Sequence, residues 1–442
     1  MKIQTLKSIL LKVVMGLVLL AVLSLLVLVL INSRDEKPSA ATLSLTKIAD
    51  SAPSINDTEN AFIYVMGFDA PDDVEPMPAG VAKVAQLRSF MAAAGTHDLP
   101  PSSGNARPNA EKRDPQLNQL AAVCKNDNRG CASEIQRSVE HIEHWMQAHA
   151  KLIQRYESLL EFRQWHELWP SDPRTPHAPF RQVLEAQRLA LLKAWLRADK
   201  GDQSGSVQLL EKDLQFWRMV LRESSSVIVK TIAARGLEQH FALGNLVSRR
   251  IQAAPHGWQV PFSQSERSMA KVMANEWKFF NLHMQQAASE LAGESKWSAL
   301  PGQFTFQPQA TSNTHAEHML GLAKVFDLEV AAIPAAVAKL AESTSHSRIY
   351  NPVGNVLVEV GDPQLFAKYG YQVADLEGMR RMALLASQLR REGATAEGVL
   401  AGTGTSKLRD PYDGSSYAWI QESGTLAFHR PHSRRPDFEL LY

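Results

Sequence analysis

If this chain performs chemistry, its histidines and acids are the first residues to weigh. His141, His144 and His149 lie in a stretch of helical spacing, with Glu140 just before them and Glu143 between. Residues three apart share a helix face, and two imidazoles on one face can hold a metal ion. No H-E-x-x-H is present. His166-Glu167 and the His315/His318 pair complete the set, but a chain with 14 His produces such pairs by chance. The expectation is no metal site. Ser268 and Lys271 match the S-x-x-K of penicillin-binding enzymes, and Ser44 with Lys47 match it again in a polar stretch. The partner motifs S-D-N and K-T-G are missing, as is G-x-S-x-G, so neither serine reads as a nucleophile.

Gly402-Thr403-Gly404-Thr405-Ser406-Lys407 has the glycines of a phosphate loop without the adjacent Gly-Lys-Ser/Thr. It reads as a flexible loop. Asp410 and Asp413 could ligate calcium, but their spacing is not that of an EF-hand. Asp410-Pro411-Tyr412-Asp413-Gly414 is instead strong turn chemistry, with Asp410, Pro411 and Gly414 as structural residues. Trp145, Trp165, Trp169, Trp195, Trp217, Trp258, Trp277 and Trp297 could line a ligand groove, but filling between helices is the plainer reading. No motif asks for a cofactor.

The two cysteines, Cys124 and Cys131, bracket a polar eight-residue segment. The spacing is neither a redox motif nor a zinc knuckle. In an oxidising compartment the pair forms a disulfide.

That compartment follows from the element that positions everything else. Residues 13–31 carry no charge, and only Gly16 and Ser24 fall outside the strongly apolar set. As a helix at about 1.5 Å per residue this run spans roughly 28 Å, close to the roughly 30 Å hydrocarbon core of a bilayer. Lys2, Lys7 and Lys12 precede it and Arg34 and Lys37 come after. This modest positive bias places residues 1–12 in the cytoplasm, residues 13–31 across the membrane and the large domain outside. The run is too long for a signal peptide, and charge comes at once after it, so it reads as an uncleaved anchor. The expected location is the inner membrane of a bacterial envelope, single-pass, with a periplasmic body.

Beyond the anchor, 45 % hydrophobic and 21 % charged residues are ordinary for a folded protein. Net charge is +1 overall, and without the three N-terminal lysines the rest carries −2. That excludes a basic field for nucleic acid.

Residues 32–60 are polar and read as a tether. Residues 61–68 form a continuous apolar run, a buried strand or a loop plug. A short helical piece spans 80–94, and Pro100, Pro101, Pro108 and Pro115 break any long element after it. A long helix is expected over 132–169. Residues 181–199 and the Val207–Leu210–Leu214–Trp217–Leu221 series form an antiparallel helical hairpin turned at Gly201. The hairpin is solenoid-like, yet no 34-residue repeat exists. Further helices are expected over 226–251, from the capping box Ser263-Gln264-Ser265-Glu266 to Gly293, and over 315–342 with a kink at Pro334. A domain spanning 61–350 is thus α-helical. Residues 351–442 form a second unit. It comprises a turn at Asn351–Asn355, a helix capped by Asp375 and ending near Arg391, and a β-hairpin of residues 417–420 and 425–428. In that hairpin Trp419 sits mid-strand and is expected to be buried.

The anchor together with IYVMGFDAP, YNPVGN and DPYDGSSYAWIQESGTLAF resembles a group of uncharacterised single-pass inner-membrane or envelope proteins of proteobacteria with no known activity. The resemblance supports the placement and implies no chemistry. The expectation is a mainly α, membrane-anchored interaction or assembly protein of the envelope, without catalysis. It contacts the bilayer through residues 13–31 and another envelope protein through its body. The alternative is a hydrolase acting on an envelope polymer, recognisable by a cleft with two close acids of shifted pKa.

Overall fold

A computed structural model of the chain describes residues 2–51, 53, 55–93, 115–126, 128–172, 174–293, 305–342, 349–360, 363–432 and 435–442. Pro100, Pro101, Pro108 and Trp297 lie outside these. The chain begins with α1 (Lys2–Ile31). Its segment Leu11–Ile31 has a mean hydropathy of 3.2 and packs on nothing. Among the described residues it is the one helix long and apolar enough to cross a membrane, as an anchor or a signal sequence does.

The polar residues after it are not slack. Ser39 caps α2 (Ala40–Ala49), accepting from the Thr42 N–H, and Leu45 is fully buried. This helix lies in the groove between two later helices, so the expected tether is folded.

The apolar run after Asn60 is also a helix, α3 (Ala61–Met66), buried on every side. Asn60 accepts from the Phe62 N–H at its start. At its end the buried Arg155 guanidinium donates to the carbonyls of Phe68, Ala70, Pro71 and Val74. Lys83 donates to the Met66 carbonyl at the helix end and Arg155 satisfies the loop beyond it, so this short helix persists in the core. It packs against α4 (Pro76–Ala93) so closely that a Cβ on Gly80 would come within 1.9 Å of the Ile63 carbonyl.

The long helix expected next is three: α6 (Asn128–Arg137), α7 (Val139–Ala148) and α8 (Ala150–Leu159), after α5 (Pro115–Asn126). Ser138 and His149 interrupt it without a side-chain cap, each redirecting the apolar face toward the core.

The centre is a bundle of α9 (Phe180–Asp199), α10 (Gln203–Glu223) and α11 (Val227–Ile251), which pack pairwise. Gly201, at φ +86°, takes the left-handed turn between α9 and α10 that a side chain would disfavour. The capping box at Ser263 and Glu266 is present. The helix it opens is only α12 (Gln264–Arg267), and α13 (Ala270–Gly293) restarts after Ser268. α14 (Pro308–Phe326) packs along α13, and both hold α2. Pro334 kinks nothing, because it sits in the first turn of α15 (Ile333–Glu342), where its missing N–H costs no bond.

Pro352 likewise falls at a helix start, in α16 (Pro352–Val360), where a turn was expected. α17 (Pro363–Arg391) runs along α11 and is succeeded by α18 (Ala396–Thr405). Asp375 is therefore no cap but a mid-helix residue.

A three-stranded antiparallel sheet closes the chain in the order β1 (Ala418–Ile420), β2 (Thr425–Phe428), β3 (Phe438–Leu441). Trp419 pairs with Leu426, and Phe428 with Phe438. The fold is mainly α with this small C-terminal sheet. One apolar core cluster includes residues from Ala41 to Leu440.

Candidate functional site

The helical breaks disperse most of the expected chemistry. His141 and His144 are exposed, and Glu143 pairs with Lys200 at 2.5 Å. Among the described residues no three His, Cys, Asp or Glu side chains gather closely enough for a metal ion. His315 is buried with its ring 4.1 Å from that of Phe280, and burial pushes its pKa down to about 3. Ser268 accepts from the Ala270 N–H, and Lys271 is paired with Glu223 at 2.7 Å, so the S-x-x-K serine has no base. Gly402 to Thr405 belong to α18 rather than to a flexible loop.

The C-terminal residues expected to be structural sit in a tight turn. The Tyr412 N–H donates to Asp410 Oδ1 at 2.8 Å, the Gly414 N–H to the Asp410 carbonyl, and Gly414 has φ +74°. Pro411 is buried. Tyr417 is the buried aromatic of this stretch, donating to the Gly378 carbonyl. Trp419, on the edge strand β1, is only half-buried, edge-on to Tyr442 at 5.8 Å. An edge strand has one side without a neighbour, which explains the difference. Cys124 and Cys131 form a disulfide between α5 and α6. Beside it, Asn128 donates to the Ala242 carbonyl and accepts from the Leu441 N–H, tying the bridged loop to α11 and β3.

Two clusters of buried ionisable groups resemble active sites. In the first, Asp213 Oδ2 is 2.7 Å from His240 Nδ1, and Oδ1 accepts from the Tyr156 hydroxyl. Gln187 donates to the same carboxylate at 3.2 Å. Trp258 Nε1 donates to His240 Nε2 at 2.8 Å, and Trp217 Nε1 to the Tyr156 hydroxyl at 2.9 Å. An indole only donates, so His240 Nε2 is an acceptor and Nδ1 carries the proton. The nitrogen that a general base would use is thus already taken, in a core with no solvent access. This is an Asp–His pair that locks α8, α9, α10 and α11 together.

The second cluster surrounds the start of α11. Glu167 accepts from the Ser225 N–H at 2.6 Å and from the Ser226 hydroxyl, and Glu276 accepts from the Val227 N–H at 3.3 Å. Burial raises both pKa values, that of Glu167 to about 7, outweighing the hydrogen bonds that favour the anion. Two acids with raised pKa are what a hydrolase would show. Here Glu167 is closed to solvent and engaged at both oxygens with the helix cap. Nearby, Lys230 is buried with its pKa lowered to about 7 by burial, and its ammonium donates to the Leu221 and Glu266 carbonyls. These groups cap helix ends.

A polar depression between α8, α9 and α10 coincides with neither cluster. It is lined by Gln154, Glu157, Glu161, Arg197, Gln208 and Lys212. Lys193 and Lys212 neutralise Glu157 and Glu161 at 2.6 and 2.5 Å.

The most elaborate polar construction is where α1 meets the body. Asn32 comes directly after the last residue of α1. Its side chain donates to the Ile349 carbonyl at 3.0 Å and accepts from the Asn351 N–H at 2.8 Å. Its carbonyl accepts from Gln307 Nε2. Asn351 in turn accepts from the Gln307 N–H and donates to Thr311. Asp35 caps α14, accepting from the Gln309 and Ala310 N–H groups. Asn313 donates to Glu36 and to the Lys37 carbonyl and accepts from Ser39 N and Thr42 Oγ1. Gly354 is required here, since a Cβ would sit 2.0 Å from Thr311 Oγ1. Sequence reasoning missed this clasp. Its signals were Asn32 directly after the apolar run and the Asn351–Asn355 motif.

What this arrangement can do is mechanical: it ties the end of the apolar helix directly to the body. In comparisons with known proteins the chain matches no protein family, no curated protein and no solved structure.

Proposed function

We propose that this protein is a membrane-anchored interaction or assembly factor of the bacterial envelope that acts without catalysis. Its N-terminus is cytoplasmic, residues 13–31 cross the inner membrane, and the body presents a surface to another envelope protein. The observation that carries this reading is the clasp at Asn32. Cleavage just after the apolar run, near residue 40, would remove Asn32 and Asp35, which satisfy the Asn351 N–H and cap α14. An apolar helix whose exit residue is part of the fold behaves as a permanent anchor. The disulfide supports an oxidising compartment for the body. The closed states of Asp213–His240 and Glu167 favour binding over hydrolysis.

The test combines a reporter active only outside the cytoplasm, fused after residue 60, with the intact mass of the full chain recovered from membranes. Reporter activity and a mass that retains residues 1–40 are expected. A silent reporter would sink the topology, and a mature chain starting near residue 40 would sink the anchor.

A further inference from the structure

The helix beside the clasp has two apolar faces, and only one is covered. Gly354 and Val358 of α16 pack on α14. At about 100° per residue, Val353, Val356 and Val360 fall together on a different face. All three are exposed, Val360 by 73 %, and Ile349 before the helix and Leu365 after it are exposed as well. Five large apolar side chains in open water are costly at about 25 cal/mol per Å². No described residue buries the Val353–Val356–Val360 face.

The position of this face says what does. Ile349 accepts from the Asn32 side chain, one residue beyond the end of α1, and the Tyr350 hydroxyl donates to the Arg34 carbonyl at 3.3 Å. α16 therefore starts where the apolar helix leaves the hydrocarbon. At this level Arg34, Asp35, Glu36 and Lys37 are all exposed, with Asp35 capping α14 and Glu36 accepting from Asn313. A short apolar face at the exit of a spanning helix, bordered by charged residues that reach the headgroup layer, has the placement of an interfacial helix.

We infer that α16 is a second membrane contact: its Val353–Val356–Val360 face rests in the interfacial layer of the bilayer that α1 crosses. The inference rests on the anchor reading. Nine residues of helix reach only about 14 Å, so the whole face stays close to the clasp. The clasp then has a second purpose, setting the angle at which α16 meets lipid.

Depth-dependent quenching in the full chain tests this. The native cysteines are joined in a disulfide, so a fluorophore can be attached at Val356→Cys, at Val360→Cys or, as an anchor control, at Leu20→Cys. The proteins are reconstituted in vesicles of phosphatidylethanolamine and phosphatidylglycerol, with brominated acyl chains as the lipid quencher and iodide as the aqueous one. The expected result is loss of emission at Val356 and Val360 with shallow brominated lipid, comparable to that at Leu20 with deep brominated lipid, and little effect of iodide. If Leu20 is quenched by lipid while Val356 and Val360 respond to iodide, α16 is in water and the inference falls with the anchor intact. Shielding of Val356 and Val360 from both quenchers means a protein covers the face, which also overturns a lipid contact. A Leu20 label open to iodide overturns the anchor and the inference together.

Discussion

Two polar networks hold this molecule together, one in the middle of the body and one at the exit of α1, and they use opposite chemistry. The body network converges on a carboxylate. Asp213 can only accept, so Tyr156, Gln187 and His240 must bring donors to it from three other helices, and two indoles close the outer shell. The junction network is built on amides, Asn32, Gln307, Asn313 and Asn351, each with a donor and an acceptor in one side chain. An amide can close the backbone of a passing segment without a counter-charge. The body network therefore suits a place where several helices already meet. The junction network suits two segments some three hundred residues apart that must recognise one another's main chain.

The largest expected effect separates the two. Asp213→Ala leaves the Tyr156, Gln187 and His240 donors buried without their acceptor, a loss of about 3–5 kcal/mol. That is a large part of a domain's usual stability of about 5–15 kcal/mol. Thermal unfolding of the detergent-solubilised chain should shift strongly downward; an unchanged Tm would show that the network is slack.

The next effect is of pH, and it has opposite sign in the two regions. His315, on α14, has its pKa depressed by burial from 6.5 to about 3. Its contribution is complete above 6.5 and is lost as pH falls toward 3, up to about 5 kcal/mol. Glu167, at the start of α11, is raised from 4.5 to about 7. Its contribution is complete below 4.5 and is lost as pH rises through 7, about 3 kcal/mol. Denaturant melts from pH 4 to 8 should therefore show His315→Gln flattening the acid limb and Glu167→Gln flattening the neutral limb. Parallel profiles for wild type and both variants would remove the distinction.

The smallest effect on stability is at the clasp. Asn32→Ala leaves the Asn351 N–H without its acceptor, about 1–3 kcal/mol. Hydrogen exchange should quicken in α14 and α16 and stay unchanged in α9 to α11. Exchange rising equally everywhere would mean the junction and the body unfold as one unit.

Legibility in the sequence divides along the same line. The α9–α10 hairpin and α11 were readable because each keeps a wetter face whose spacing reveals the period, and the C-terminal strands because turn residues separate two β-prone runs, although β2 itself is buried throughout. α3 was not, since burial of all six residues erases any period. Residues 32–60 read as a tether because their side chains are polar. Asp35, Glu36 and Thr42 are instead hydrogen-bonded to α14, and composition does not distinguish a solvated side chain from a clasped one. The Asp213 cluster was invisible for another reason. Tyr156 and His240 lie 57 and 27 residues from Asp213, so no local spacing could announce them.

On the proposed anchoring of α1 in a bilayer, the clasp at Asn32 has one more consequence, for how often an encounter succeeds. Two bodies on slack leashes must find their mutual orientation in all three rotations, and that search is part of the entropic cost of association. A body fused to its spanning helix without slack keeps essentially one rotation, about the membrane normal. Its height above the lipid and its tilt are already set. Any partner held in the same bilayer meets the same flank at the same elevation on each collision, so a modest contact area suffices for a lasting complex, and a partner free in solution gains no such advantage.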